Sequence, residues 1–355
     1  MQPQVDIIIY LPHFLKIDFL LTNSFLCDNL SLVIGVAEEK EEKKMEIEII
    51  KAPFDATEVL DLIEKTFGKG ERALEAAQLD GSEADCNDDV VFVAREAGVL
   101  LGTIHITVPK KNPTVSGISG FVTSEAARGK GIGSRLFAAA VEYVDTIGVE
   151  TSFLGTGNPH AAKMYEKNGF RYIYGTGVMI RTRLGHECDF NDKYMDLPVG
   201  PFSISENSPA LRISIVPLVV YKSSSVIYDI NTDIVSSSCM TQTSCMGLFP
   251  RYMRLKEAGG AYYFAADERG TVGAVMSVKP MEDGNRVDFF YTDAFSRALP
   301  DMLACVQMKY DNIYFETAAR DERKISVIKG LGYERTESGV YCYRDFEIKT
   351  LKFYK

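Results

Sequence analysis

The sequence contains little of what metal centres and disulfide frameworks are built from. It has four histidines in 355 residues, with no HExxH pattern and no close histidine pair, so we expect no metal ion. Its seven cysteines include no CxxC pair and are scattered over positions 27, 86, 188, 239, 245, 305 and 342. An odd and scattered set of this kind is unlike a disulfide framework or a zinc knuckle. It predicts a cytoplasmic protein in a reducing compartment.

Positive charge and long apolar runs are also lacking. The formal net charge is -10 at pH 7 and the pI is near 5.1. An acidic surface repels a phosphate backbone, so nucleic acid is not an expected partner and a cationic acceptor is favoured. An apolar stretch near the N-terminus is interrupted by Pro12, Lys16, Asp18, Asn23 and Asp28. No run of about 20 apolar residues is left to cross a bilayer, so no membrane partner is expected.

What is present fits a soluble globular chain of about two domains, at roughly 100–200 residues per domain. The composition is 46% hydrophobic and 25% charged, which is typical of folded domains. A Glu/Lys run ends at Lys44, and an alternating strand pattern begins at Met45. We therefore expect the fold to start at Met45. Residues 1-44 are then either a poorly structured N-terminal extension or a mis-annotated start, and the residues leave both open.

From Met45 the pattern predicts a strand, Met45 to Lys51, followed by a helix whose start is marked by Asp55 and Thr57. Two apolar runs, Val90 to Arg95 and Val99 to Val108, predict a hairpin. A third strand, Val115 to Thr123, leads into a basic glycine loop and then a helical pattern.

The glycine loop is the first motif that carries chemistry. It reads Arg128-Gly129-Lys130-Gly131-Ile132-Gly133. Glycines at a helix start let backbone N–H groups approach an anion, and the helix dipole favours negative charge there. The loop does not fit a P-loop, because Gly129-Lys130 is followed by Gly131 and not by Ser or Thr. Its spacing also differs from GxGxxG, so a Rossmann turn fits poorly.

A second motif follows on a short predicted helix that Asn158 can cap, with Pro159 at its first position. Its members are Asn158, Ala161, Tyr165, Gly169 and Phe170. Together, in this order and at this distance, the two motifs resemble the GNAT superfamily of acyl-CoA-dependent N-acyltransferases. The resemblance implies an α/β fold, a twisted and mostly antiparallel mixed sheet flanked by helices, over residues 45-183.

The resemblance also implies roles for individual residues. The backbone of Phe121, Val122 and Thr123 would pair with the pantetheine arm of acetyl-CoA, the cosubstrate, and Asn158 would contact the same arm. The pyrophosphate would lie on the loop formed by Arg128, Gly129, Lys130, Gly131, Ile132, Gly133 and Ser134. Tyr165 would be the general acid that protonates the departing thiolate after direct attack by an amine.

The sequence does not identify a general base. Many family members place a glutamate on the strand before the glycine loop, but residues 116–122 contain no carboxylate. Glu125 lies in the loop and is expected to face solvent. His105 could act as a base or be a hydrogen-bonded core residue, and we favour the second interpretation. A water chain, or an amine that arrives already neutral, would serve instead.

The second half repeats the order of elements without the motifs. Residues 184-210 read as a linker, and a second domain, 211-355, is predicted to open with a strand over Leu211 to Tyr221 and a loop over 236–244. No glycine occurs between Val287 and Leu303, and Ile328 and Asp321 stand where Tyr165 and Asn158 stand in the first half. We interpret this half as a degenerate GNAT-like domain that walls the acceptor pocket or mediates dimerisation.

The sequence thus predicts a cytoplasmic tandem-domain N-acetyltransferase of the EC 2.3.1 kind. It would transfer acetyl from acetyl-CoA to a small-molecule or peptide amine, with homodimerisation left open. A non-catalytic sensor of acyl-CoA is the alternative.

Overall fold

The computed structural model describes residues 32–35, 45–173, 175–195, 198, 200–220, 225–236 and 244–355. Its first sheet has the strand order β1-β2-β3-β4-β5-β6-β8-β7. The strands are β1 (Leu32–Gly35), β2 (Met45–Lys51), β3 (Asn87–Glu96), β4 (Val99–Pro109), β5 (Val115–Thr123), β6 (Thr151–Gly155), β7 (Arg171–Tyr172) and β8 (Val178–Thr182). All neighbours in this sheet are antiparallel except β5 and β6, which are parallel.

The rest of the strands form a second sheet and a two-stranded ribbon. They are β9 (Ser203–Glu206), β10 (Ile227–Asp229), β11 (Ile234–Val235), β12 (Ala261–Ala266), β13 (Val272–Met281), β14 (Gly284–Tyr291), β15 (Ile313–Ala318), β16 (Glu334–Tyr343) and β17 (Phe346–Tyr354). The ribbon pairs β10 with β11, and the second sheet has the order β16-β17-β15-β14-β13-β12-β9. Its one parallel pair is β14 with β15.

Ten α-helices lie in the described part of the chain. They are α1 (Thr57–Phe67), α2 (Lys69–Leu79), α3 (Ile132–Thr146), α4 (Pro159–Lys167), α5 (Glu187–Tyr194), α6 (Leu211–Ser214), α7 (Val216–Val220), α8 (Phe249–Glu257), α9 (Leu299–Gln307) and α10 (Glu322–Gly330). None of these helices is long and apolar enough to cross a membrane. The predicted fold class is confirmed: an α/β chain with two mostly antiparallel sheets flanked by helices.

The second sheet repeats the order of the first. Read from β9, its strands β9, β12, β13, β14, β15, β17 and β16 correspond in order and direction to β2, β3, β4, β5, β6, β8 and β7. The helices that follow the fourth and fifth of these strands correspond as well: α9, after β14, to α3, after β5, and α10, after β15, to α4, after β6. The two halves therefore share one topology, as expected from their element order.

The first sheet buries both of its faces. Helices α3 and α4 cover one face, where Ile118 of β5 and Leu154 of β6 lie in the same apolar core as Phe137. On the other face, α1 and α2 cover β2, β3, β4 and the end of β5. The remainder of that face packs against α6, α7 and α8 of the second half. One continuous core therefore joins the two halves.

The predicted strand over 211–221 is wrong, because the described part of this run forms α6 and α7. All of its residues from Leu211 to Val220 are buried. Residues 211–215 alternate apolar side chains with Arg212 and Ser214, which is typical of a strand, but both polar side chains are buried and the alternation marks no solvent-facing side. The predicted loop over 236–244 has its central residues, 237–243, outside the described ones.

The predicted boundaries also differ from the observed elements. The segment 184-210 contains α5 and β9, and β9 is an edge strand of the second sheet. The second half therefore begins before Leu211. Of residues 1-44, only Leu32–Gly35 are described, and they pair antiparallel with β2 at the edge of the first sheet. The prediction for the rest of that segment lies outside the described residues.

Candidate active site

The site lies where β5 and β6 separate. The two strands pair at three positions only, ending at Gly117 opposite Phe153, while β5 continues to Thr123. Beyond that pair the sheet has a gap between β5 and β6, which we call the first opening. A parallel pair that diverges leaves strand edges without a ladder partner, and such edges are available to an extended ligand.

A bulge in β5 borders the first opening. Thr103 of β4 pairs with Val122, but His105 pairs with Ser119, so Gly120 and Phe121 together lie opposite one residue of β4. Gly120 has a φ of +54°. Ser119, Gly120 and Phe121 are partly exposed. A bulge re-aims the backbone at this point, as is common beside active sites.

The glycine loop lies between β5 and α3. Gly129 and Gly131 have φ values of +77° and +76°, and Gly131 is the N-cap of α3. No side chain caps this helix, and a Cβ added at either glycine would meet no atom within 4 Å. The first amides of α3, at Ile132, Gly133 and Ser134, are therefore left for another acceptor. An open helix start with exposed basic neighbours is suited to a phosphate group.

Some of the predicted loop residues can contact a ligand through their side chains, and others only through their backbone. Arg128 and Lys130 are exposed, and Arg128 Nε donates to the Thr123 carbonyl at 3.3 Å. The side chains of Val122 and Ile132 are buried in the core, so only their backbone can contribute. A Cβ on Gly133 would lie 3.1 Å from Thr123 Oγ1. The start of α3 thus packs directly on the end of β5.

The second motif starts α4 as predicted. The Asn158 side chain accepts from the amides of His160, at 2.9 Å, and Ala161, at 3.4 Å, with Pro159 at the first helical position. These bonds satisfy two of the donors at the helix start. Asn158 itself is exposed. The prediction that it caps a helix is confirmed, and its contact with pantetheine stays a prediction.

Tyr165 lies on the buried face of α4. It is 7% exposed, and its ring centroid lies 4.7 Å from that of Phe137 and 6.0 Å from that of Phe121. Burial, and to a lesser extent the neighbouring Tyr172, raises the pKa of the Tyr165 phenol far above its usual value of 10. The hydroxyl therefore keeps its proton at neutral pH. A protonated phenol next to the first opening can donate a proton and cannot accept one.

His105 is a buried cation in a carboxylate network. Its Nδ1 bonds Glu75 of α2, and its Nε2 bonds Asp89 of β3 at 2.9 Å. Burial lowers the pKa of His105, but the charge of Glu75 and the bonds to both carboxylates outweigh it and raise the pKa to about 10. Such an imidazolium has no free site for a proton. The interpretation of His105 as a satisfied core residue is therefore favoured over a general base.

Glu125 is exposed, with its side chain 3.8 Å from Arg128. It lies in the turn before the glycine loop, as expected from the sequence.

Sequence reasoning missed Glu75. A Cβ added at Gly120 would lie 3.6 Å from the Glu75 carboxyl carbon, so α2 brings a carboxyl group to the bulge. Burial raises the pKa of Glu75, but the charge of His105 and a hydrogen bond to it lower the pKa below its ordinary value. Val59, Ile63 and Leu79 mark the buried faces of two consecutive helices, but no local pattern shows that Glu75 meets β5. Among the described residues, no group of three or more His, Cys, Asp or Glu side chains is arranged to hold a metal ion.

In the second half, the gap that corresponds to the first opening is occupied by a lysine side chain. Strands β14 and β15 pair at three positions, ending at Val287 opposite Phe315, and the gap beyond is the second opening. The register of β13 with β14 is unbroken, so β14 has no bulge. Lys324 stands at the position of Ala161 in α4. Its ammonium group donates to Asp288 of β14 at 2.8 Å and to the carbonyls of Ile227 and Tyr228.

The helix start is also closed in the second half. A 3-10 helix, Asp293–Ala298, runs directly into α9, and the N-cap residue Ala298 has helical φ and ψ. Ile328, in the position of Tyr165, is buried, and Asp321 caps α10 through the amide of Lys324. This half lacks both the open amides and the phenol of the first.

Comparison with known protein families gives a match in the first half of the chain. Residues 56–170 match the sequence model of the acetyltransferase (GNAT) family. This part of the chain is therefore an acetyltransferase domain of the GNAT family. No curated protein matches the chain.

Solved structures that match part of this chain include three acyltransferases. An acyl-CoA N-acyltransferase from Pseudomonas aeruginosa is 19% identical, with 38% of this chain and 99% of that chain covered and a TM-score of 0.31. A Bacillus subtilis acetyltransferase in complex with CoA is 19% identical, with 38% and 98% covered and a TM-score of 0.30. An Escherichia coli GNAT family N-acetyltransferase in complex with CoA is 18% identical, with 41% and 85% covered and a TM-score of 0.32.

Proposed function

We propose that the chain is an N-acetyltransferase that moves an acetyl group from acetyl-CoA to a primary amine, using its first domain only. The observation that carries the proposal is the open, uncapped start of α3, which stands beside the first opening and the buried phenol of Tyr165. An anion site, a gap for an extended arm and a proton donor are the parts that an acyl thioester requires.

The residues at the site fit CoA. The pyrophosphate would accept from the amides of the glycine loop, where a Cβ would meet open space and Arg128 and Lys130 add positive charge. The pantetheine arm would run along the β5 backbone at Phe121, Val122 and Thr123, beyond the last β5–β6 pair. Asn158, at the start of α4, would border the same arm.

The transfer would be a single displacement. The amine lone pair forms a C–N bond to the thioester carbonyl carbon, the C–S bond breaks, and the thiolate takes the phenolic proton of Tyr165. The excess proton on the new amide nitrogen passes to water, and Tyr165 recovers its own proton from solvent. A donor within reach of the sulfur lowers the barrier to departure. A base on β5 is unnecessary when the amine arrives neutral.

Thiol release from acetyl-CoA tests this function. The full chain would be incubated with acetyl-CoA and, in turn, alkylamines, polyamines, amino acids, aminoglycosides and peptide N-termini, and free thiol would be measured. We expect amine-dependent release with at least one class and an acetylated product in equal amount. CoA binding without thiol release for every amine would favour the alternative function, a sensor of acyl-CoA.

A further inference from the structure

The second half stands on the side of the first opening that faces away from the CoA loop. The start of α3 and Tyr165 belong to one face of the first sheet. Along β5, Val115 faces the other way and lies in the core shared with α6, α7 and α8. If the thioester lies in the opening with its CoA on the α3 side, an amine can reach the carbonyl from this second face.

The two halves also meet beside the first opening. A Cβ added at Gly117, the last β5 residue paired with β6, would lie 2.5 Å from Met246 Sδ and 2.6 Å from Ile213 Cδ1. Only a residue without a Cβ permits this approach. Ile213 is fully buried, whereas Met246 is partly exposed. Met246 thus borders both β5 and solvent, two residues along β5 from the partly exposed Ser119.

Buried charges hold this wall in place. Arg212 of α6 donates to Glu83 through Nε at 2.6 Å and also through a second nitrogen, with both side chains at 5% exposure or less. The Asn87 amide donates to the Pro209 carbonyl at 3.2 Å. The positive charge of Arg212 also acts on Glu75, beside the bulge. The second half is therefore fixed relative to the acceptor side of the site.

The buried charged groups on the acceptor side of the first opening carry a net negative charge. Three carboxyl groups, on Glu75, Glu83 and Asp89, face two cationic groups, on His105 and Arg212, and all five side chains are at 5% exposure or less. An approaching ammonium ion is attracted to such a cluster, and a carboxylate next to the amine is repelled. Beside the cluster, Met246 offers apolar contact, and a second ammonium group on the arm would lose its water there without gaining a partner.

We infer that the second half supplies the acceptor wall through Met246, beside the buried Ile213, and that the acceptor is a primary monoamine with an apolar arm. This inference rests on the proposed acetyl transfer. The ammonium would approach beside Glu75 and Ser119, lose its proton to water and attack as the neutral amine, and the arm would lie against Met246. The role of the second half is then to select the amine, which explains why it keeps the fold without an open CoA site.

The test compares acceptors and variants by steady-state kinetics of thiol release. For the wild-type chain we expect a higher kcat/KM with hexylamine than with spermidine or alanine. Met246→Ala should raise the KM for hexylamine by roughly tenfold, the effect of losing contact with about two methylene groups, and should leave the KM for ethylamine and for acetyl-CoA unchanged. Met246→Leu should restore the hexylamine KM.

Met253→Ala is the matched control, because Met253 packs on the same shared core, and it should not change the KM for hexylamine. An unchanged hexylamine KM in a folded Met246→Ala variant would overturn the inference, as would a preference for spermidine or alanine. Either result leaves acetyl transfer standing. Absence of thiol release with all amines would instead overturn the proposed function, and the inference with it.

Discussion

At the scale of single residues, the account depends most on the hydroxyl of Tyr165. Tyr165→Phe keeps the ring packed against Phe137 and removes only the proton donor. We expect a fall of roughly 10²–10⁴-fold in rate, the usual range for general acid catalysis, with CoA affinity nearly unchanged. The rate should be measured in single turnover, so that product release does not mask it. Wild-type single-turnover chemistry would reduce Tyr165 to a packing residue.

His105 should contribute stability in a pH-dependent way. The pKa of His105 is raised to about 10 from its ordinary 6.5, so its stabilising effect is fully present below about pH 6.5 and is lost as pH rises through 10. His105→Gln should lower the free energy of unfolding at pH 6 by about 3–5 kcal/mol, the cost of breaking a buried ion pair. Denaturant unfolding of both proteins from pH 6 to 10.5 should show this difference shrinking; a constant difference would contradict the charged state of His105.

The residues of the two motifs could be predicted from sequence because each acts through its own neighbours. Asn158 caps the helix that follows it, and Gly131 starts the helix that follows it. Glu75 and Met246 could not be found in this way. They reach β5 from a distant helix and from the second half, and no local pattern records which segment a strand will meet.

At the scale of elements, the start of α3 is the part that we expect CoA binding to require. Gly131→Glu adds a carboxylate and a Cβ at a φ of +76°, where the anion would bind. We expect CoA affinity to fall below detection through strain, steric conflict and repulsion. Calorimetric titration with CoA measures it, and a thermal melt of the unliganded variant confirms that it folds. Undiminished affinity would show that the pyrophosphate binds elsewhere.

The second opening should depend on its lysine for stability. Lys324 is 1% exposed and bonds Asp288 and two carbonyls. Lys324→Met leaves these groups buried without their partner, so we expect a loss of about 3–5 kcal/mol in unfolding free energy. Lys329→Met, at an exposed position of the same helix, is the control and should change it little. Equal stability of the two variants in denaturant unfolding would contradict a structural role for Lys324.

The elements themselves were predictable where one face of a strand or helix meets solvent or a polar loop. The β3–β4 hairpin and α3 follow their sequence patterns closely. The run that forms α6 and α7 did not, because its polar residues Arg212 and Ser214 are buried with the rest and alternate with apolar residues as in a strand. The β5 bulge has no local pattern beyond a single glycine, Gly120.

At the scale of the whole molecule, two halves with one strand order differ in what their openings contain. In the first, a bulge, an uncapped helix start and a phenol surround the gap. In the second, the bulge is missing, the helix start is closed by a 3-10 turn, and a lysine fills the gap. On the proposed function, the same topology would provide one site for a thioester and one supporting wall.

Calorimetric titration of the full chain with CoA tests this central claim most directly. The account predicts one CoA per chain, and no measurable binding after Gly131→Glu. It further predicts that Lys324→Met, if folded, still binds one. Two CoA molecules per wild-type chain, or one that Gly131→Glu retains, would contradict the assignment of the thioester site to the first half alone.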